Sequence, residues 1–109
     1  MAFTVVLDTC VLYPAHLRDT LLRLAERGLF RARWSDDILV ELERNLSEGG
    51  VAPTAVSHLL AQMDGAFPDA IVLGYHRLIP AMTCDEKDRH VLAAAVRAEA
   101  AAIVTFNIR

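Results

Sequence analysis

Phe3-Thr4-Val5-Val6-Leu7-Asp8-Thr9-Cys10-Val11-Leu12 is the stretch that decides the fold class of this 109-residue chain. Residues 3–7 are rich in β-branched and aromatic side chains and read as a buried strand. The run breaks at an acid, Asp8. In alternating α/β chains the carboxyl ends of the central strands face the crevice where ligands sit. Asp8 therefore stands either at a binding crevice or in a plain strand-ending turn, where Asp is common.

Working outward, Pro14 suits the first turn of a helix. Leu17, Leu21, Leu24 and Ala25 follow at helical spacing, and Gly28 is a good stop. Residues 29–34 read as a second strand. Ser35 is placed as an N-cap, with Asp36 and Asp37 in the first turn, where the helix dipole favours acids. That helix buries Ile38, Leu39, Leu42 and Leu46 and ends at Gly49-Gly50. A third helix opens at Pro53 or Thr54, turns Val56, Leu59, Leu60 and Met63 inward and leaves His58 at the surface. It closes near Gly65. Residues 70–73 suggest a third strand. Residues 74–83, broken by Pro80, fit no element. Asp85 reads as the N-cap of a fourth helix over residues 86–99. A fourth strand over residues 101–105 leads to Phe106 and Asn107. This alternation predicts a single α/β domain, a parallel sheet with helices on both faces. A chain that stops just past its fourth strand suggests a domain lacking a C-terminal strand and helix.

Composition narrows the classes. The chain is 54% hydrophobic, with a mean hydropathy of +0.31. At this length a domain buries roughly two-thirds of its unfolded surface, enough without covalent staples. A net charge of −3 argues against a generally basic, phosphate-coating surface. The cations are ten Arg and one Lys, Lys87, a bias that GC-rich coding explains as well as phosphate binding does. Cys10 and Cys84 make neither a disulfide framework nor a zinc set. The N-terminus lacks a basic leader, and no apolar run approaches the ~18–20 residues that span a bilayer. A cytoplasmic protein with reduced thiols and no membrane contact is the expectation.

Chemistry is to be sought among the acids. Helical spacing puts Asp88 on one stripe with Val91, Leu92 and Ala95, on the core-facing side, where an unpaired carboxylate is costly. Either free backbone N–H groups of the helix start satisfy it, or it points into the crevice beside Asp8. Glu41 and Glu43 flank the buried stripe of their helix, and periodicity does not choose between them. Asn107 is the counterpart of Asp8 at the end of the fourth strand. Two like charges ~4 Å apart repel by about 4 kcal/mol at an effective dielectric near 20. A cluster of Asp8, Glu41 and Asp88, with Asp85 as a helper, would stay ionised only around a cation. All-oxygen ligation without His or Cys suits Mg²⁺ or Mn²⁺.

Four segments in this order resemble the PIN domain family of metal-dependent ribonucleases, which includes the VapC-like toxins of toxin–antitoxin pairs. They are Val5-Val6-Leu7-Asp8-Thr9-Cys10-Val11-Leu12, Ser35-Asp36-Asp37-Ile38-Leu39-Val40-Glu41-Leu42, Asp88-Arg89-His90-Val91-Leu92-Ala93-Ala94-Ala95 and Ile103-Val104-Thr105-Phe106-Asn107. The resemblance implies a Rossmann-like three-layer fold with strand order 3-2-1-4, a fifth strand being absent here. It implies a Mg²⁺ or Mn²⁺ site on Asp8, Glu41 and Asp88, with Asn107 as the fourth polar member of the catalytic set and Asp85 as an accessory ligand. It also implies an RNA substrate, a cognate antitoxin and a homodimer. Cys10 departs from the family, whose members often carry Asn or Ser there. Asn107 replaces a carboxylate. Arg18, Arg44 and Arg89 are candidates for holding RNA backbone. Two other readings remain: a PIN-like scaffold that binds RNA or a protein without strong catalysis, and a phosphatase or phosphoacceptor domain using Asp8. The phosphoacceptor reading lacks the usual second acid within two residues of Asp8.

Overall fold

The computed structural model describes residues 3–105. Among the described residues three parallel strands make the sheet: β1 (Thr4–Leu7), β2 (Arg31–Arg33) and β3 (Ala102–Val104), in the order β2-β1-β3. Registers run Val5 opposite Ala32 on one side and Val6 opposite Ile103 on the other. β1 is central because it is the most apolar: Val5, Val6 and Leu7 are all buried. This is the expected α/β architecture.

The third strand is shorter than the sequence suggests. Residues 70–73 contribute one parallel bridge, Ile71 against Trp34, outside the named strands. Trp34 donates its backbone N–H to the Ala70 carbonyl at 3.0 Å, and its carbonyl accepts from the Val72 N–H at 2.9 Å. Arg33 also donates from Nε to the Ala70 carbonyl and from Nη2 to the Ile71 carbonyl, both at 3.1 Å. The Ala70 carbonyl is thus shared between the ladder and a side chain, the Ile71 carbonyl is taken by a side chain, and Gly74 at φ 75 turns the chain away. The order of the expected sheet, 3-2-1-4, survives with its outermost member reduced to a bridge.

Among the described residues five α-helices surround the sheet: α1 (Thr9–Leu12), α2 (Ala15–Glu26), α3 (Asp36–Glu48), α4 (Pro53–Ala66) and α5 (Arg89–Ala98). The single turn α1 was not legible as a helix; it is too short to show a period. Pro14 is the N-cap of α2 and not inside its first turn. α2 has no fully buried residue. Leu24 is exposed, and the helix leans on the core through Leu17, Leu21, Leu22 and Ala25. α3 follows its apolar stripe closely, burying Ile38, Leu42 and Leu46. Residues 76–81, unassigned from sequence, form a 3-10 helix that contains Pro80. Among the described residues no helix is long and apolar enough to cross a membrane.

α3 deserves its cap because it carries a candidate site acid. Ser35 is fully buried, and its hydroxyl accepts from the Ile38 N–H at 3.2 Å. Ser35→Ala should destabilise the fold by about 1–2 kcal/mol, measured as a lowered urea midpoint. At the same helix start, Tyr75 donates its hydroxyl to Asp37 Oδ2 at 2.6 Å. Burial, and then this hydrogen bond, push the Tyr75 phenol above its ordinary value of 10.0. The fold therefore holds that proton more tightly than the unfolded chain does. The contribution is complete below about pH 10 and disappears as pH rises through the folded value. Stability should fall in that alkaline window for the wild type. The fall should flatten in Tyr75→Phe, and an equal fall in both proteins assigns it to other groups.

Candidate functional site

Asp8, Glu41 and Asp88 come from three different elements and line one hollow of about 300 Å³. Asp8 ends β1, Glu41 lies on α3, and Asp88 is the N-cap residue of α5. Thr9, Cys10, Asn45, Lys87, His90 and Val91 complete the wall. A smaller recess of about 180 Å³ shares Asp8 and Asp88 and adds Cys84, Leu92, Ile103 and Thr105. A larger hollow, about 1000 Å³ between α2 and α4, contains none of the three acids.

Asp8 is fixed at both carboxylate oxygens. Oδ1 accepts from the Thr9 backbone N–H at 2.7 Å, so the residue is also the N-cap of α1. Oδ2 accepts from the Thr105 hydroxyl at 2.9 Å, a bond that joins the ends of two neighbouring strands. Cys10 stands in the same network, with Sγ 3.7 Å from Asp8 Oδ2 and 3.3 Å from Thr105 Oγ1. The thiol at this departure from the family therefore still faces the first acid. Asp8 thus both caps a helix and lines the hollow.

Glu41, and not Glu43, is the acid of α3 that reaches the hollow; Glu43 is exposed. Glu41 Oε1 accepts from the Thr9 hydroxyl at 3.3 Å and lies 3.1 Å from His90 Nε2. The same Thr9 hydroxyl is 3.2 Å from the Ile38 carbonyl, which seats α1 against α3.

The helix start at residue 85 differs from the sequence expectation. Residues Glu86–Asp88 form a 3-10 turn, and α5 begins only at Arg89. Asp85 precedes that turn, its side chain makes no cap hydrogen bond, and it lines neither recess. Asp85 thus holds the N-cap position of the 3-10 turn and not of α5, without a side-chain cap bond, and it stands outside both recesses. The tight turn lifts Asp88 to the N-cap position, so free N–H groups deeper in the helix do not hold it: its side chain makes no cap bond. Asn107 lies outside the described residues.

Among the described residues no three His, Cys, Asp or Glu side chains stand close enough together to hold a metal. The three acids share a hollow without being drawn into ligating distance. Uncompensated like charges favour that spacing, and protein donors already occupy Asp8 and Glu41. The donor chemistry nevertheless suits a hard cation: oxygen ligands, a volume with room for water and, among the described residues lining it, one lysine, Lys87. Of the arginines proposed for RNA, Arg18 donates to the Leu12 carbonyl at 2.9 Å and the Tyr13 carbonyl at 3.1 Å. Arg89 donates to the Cys84 carbonyl at 3.1 Å. Both are tied to backbone, whereas Arg44 is exposed.

Thr9, Thr105, His90, Lys87 and Asn45 belong to the site although sequence reading did not single them out. Thr9, Thr105 and His90 lay inside the quoted motifs, but hydroxyls and imidazoles carry no periodic signal of their own.

Comparison with known proteins gives a consistent result. The PIN domain family model matches residues 4–109. A protein of Mycobacterium tuberculosis, named as the candidate ribonuclease VapC50, is 58% identical over 40 residues, which make up 37% of this chain and 24% of that relative. The chain thus matches less than a quarter of the relative's length. No solved structure matches the chain at a significant level.

Proposed function

The chain belongs to the PIN domain family, and on that premise we propose that it is a Mg²⁺- or Mn²⁺-dependent endoribonuclease, the toxin member of a toxin–antitoxin pair. The observation that carries this reading is the convergence of Asp8, Glu41 and Asp88 on one hollow from positions spread over most of the chain. The ribonuclease name borne by the Mycobacterium tuberculosis relative supports it.

When bound there, such a cation supplies Lewis acidity toward a phosphoryl oxygen and toward water. Asp8, Glu41 and Asp88 are the residues that would hold it. Thr105 and the Thr9 N–H keep Asp8 in one orientation, so its lone pairs face the hollow in a fixed direction. Thr9 links the remaining two elements by touching both α3 and its acid. Lys87 lines the same hollow and offers a positive charge to a phosphodiester. Asn45 offers an amide that donates or accepts at the sugar–phosphate backbone. We propose Asn107 as a further polar member of the catalytic set on resemblance alone. An antitoxin-type partner, a homodimer and a cytoplasmic location are proposed on the same basis.

The direct test is to incubate the chain with RNA and Mn²⁺ or Mg²⁺, with and without a chelator. Chelator-sensitive internal cleavage leaving 5′-phosphate and 3′-hydroxyl ends is expected. Cleavage that persists in excess chelator contradicts the reading. That no three candidate ligands gather closely enough among the described residues to hold a metal favours one alternative, a PIN-like scaffold that docks RNA or protein without strong catalysis. Retention of RNA by the chain with no cleavage in Mn²⁺ would decide for that scaffold.

A further inference from the structure

The geometry points to His90 as a positioning residue that sets the Glu41 carboxylate for cation binding. This rests on the reading of the hollow as a cation site and names a determinant of its affinity. His90 sits on α5, two residues beyond Asp88, and reaches across to α3. Its Nε2 lies 3.1 Å from Glu41 Oε1; its side chain is only 16% exposed and that of Glu41 33%. The other ring nitrogen, Nδ1, is buried and has no hydrogen-bond partner among the described residues. A bare acceptor is better tolerated in that position than an orphaned N–H. The Nε2 proton is therefore the one directed at Glu41.

Two consequences follow from the contacts. First, Glu41 is the one hydrogen-bond anchor of the imidazole among the described residues. A ring buried only for packing would gain nothing from leaving a nitrogen unpaired. Second, the Thr9 hydroxyl and His90 Nε2 converge on the same oxygen, Oε1. Glu41 Oε2 has no donor among the described residues. One oxygen is tied, and the other is left to meet a ligand. The bond also fixes the distance between the helices that carry Glu41 and Asp88. Hydrogen-bond partners of ligating carboxylates typically contribute 10–100-fold to metal affinity.

The test is Mn²⁺ binding by calorimetry to the wild type, His90→Leu and His90→Gln, each checked for folding by urea denaturation. His90→Leu should bind Mn²⁺ about 10–100-fold more weakly. His90→Gln, which keeps an N–H near the Nε2 position, should return most of the affinity. Equal affinity in wild type and His90→Leu overturns the role of His90 and leaves the cation reading standing. A wild type that binds no Mn²⁺ overturns both. Should His90→Leu fail to fold, NMR of the metal-free chain decides. The His90 Nε2–H signal should be protected from water exchange in wild type and lose that protection in Glu41→Leu. Unchanged protection in Glu41→Leu overturns the assignment.

Discussion

Asp8→Asn should reduce Mn²⁺-dependent RNA cleavage by at least about a hundredfold while leaving the chain folded. Changing an outer partner of a metal ligand already costs about 10–100-fold, so changing a ligand costs at least as much. The substitution keeps the shape and one acceptor oxygen. The Thr9 N–H at 2.7 Å can still be accepted, and the cap of α1 therefore survives. What goes is the negative charge opposite Glu41 and Asp88, which is the quantity a divalent ion requires. Cleavage should be measured at saturating and at limiting Mn²⁺, because a lost ligand raises the metal requirement. Undiminished cleavage at limiting Mn²⁺ removes Asp8 from the site.

The second large effect is on stability. Trp34→Ala should destabilise the fold by about 3–5 kcal/mol, a large part of the ~5–15 kcal/mol that a domain of this kind possesses. Trp34 is 1% exposed. Its ring meets Phe67 edge-on at 5.7 Å and 77°. Its backbone carries the two main-chain hydrogen bonds that hold residues 70–72 beside β2. Truncation leaves a cavity at the junction of the sheet, α3 and the chain beyond α4. Urea unfolding followed by circular dichroism measures it. A loss below about 1 kcal/mol would mean that the neighbours collapse into the space far better than a packed core allows.

The sequence carried more of the frame than of the site. β1 and α3 were legible because buried runs and 3.6-residue stripes are local signals, as Val5–Leu7 and Ile38, Leu42 and Leu46 show. Ser35 was legible as a cap for the same reason. The single bridge at Ile71 was not, because its brevity depends on Arg33, 38 residues away, donating to the Ile71 carbonyl. Asp85 does stand at an N-cap, but of a 3-10 turn, and α5 starts only at Arg89, because nothing in the local residue preferences separates a tight first turn from an α-helical one. The choice between Glu41 and Glu43 needed the resemblance and then the coordinates. Thr105 reaches Asp8 across 97 residues, and no pattern within one element records such a contact.

The central claim is that Asp8, Glu41 and Asp88 jointly receive one cation. Anomalous diffraction from crystals of this chain soaked in Mn²⁺ tests it most directly. A manganese peak within ligating distance of oxygens from all three acids is the expected result. Manganese bound elsewhere, or three acids still apart in saturating Mn²⁺, would contradict it.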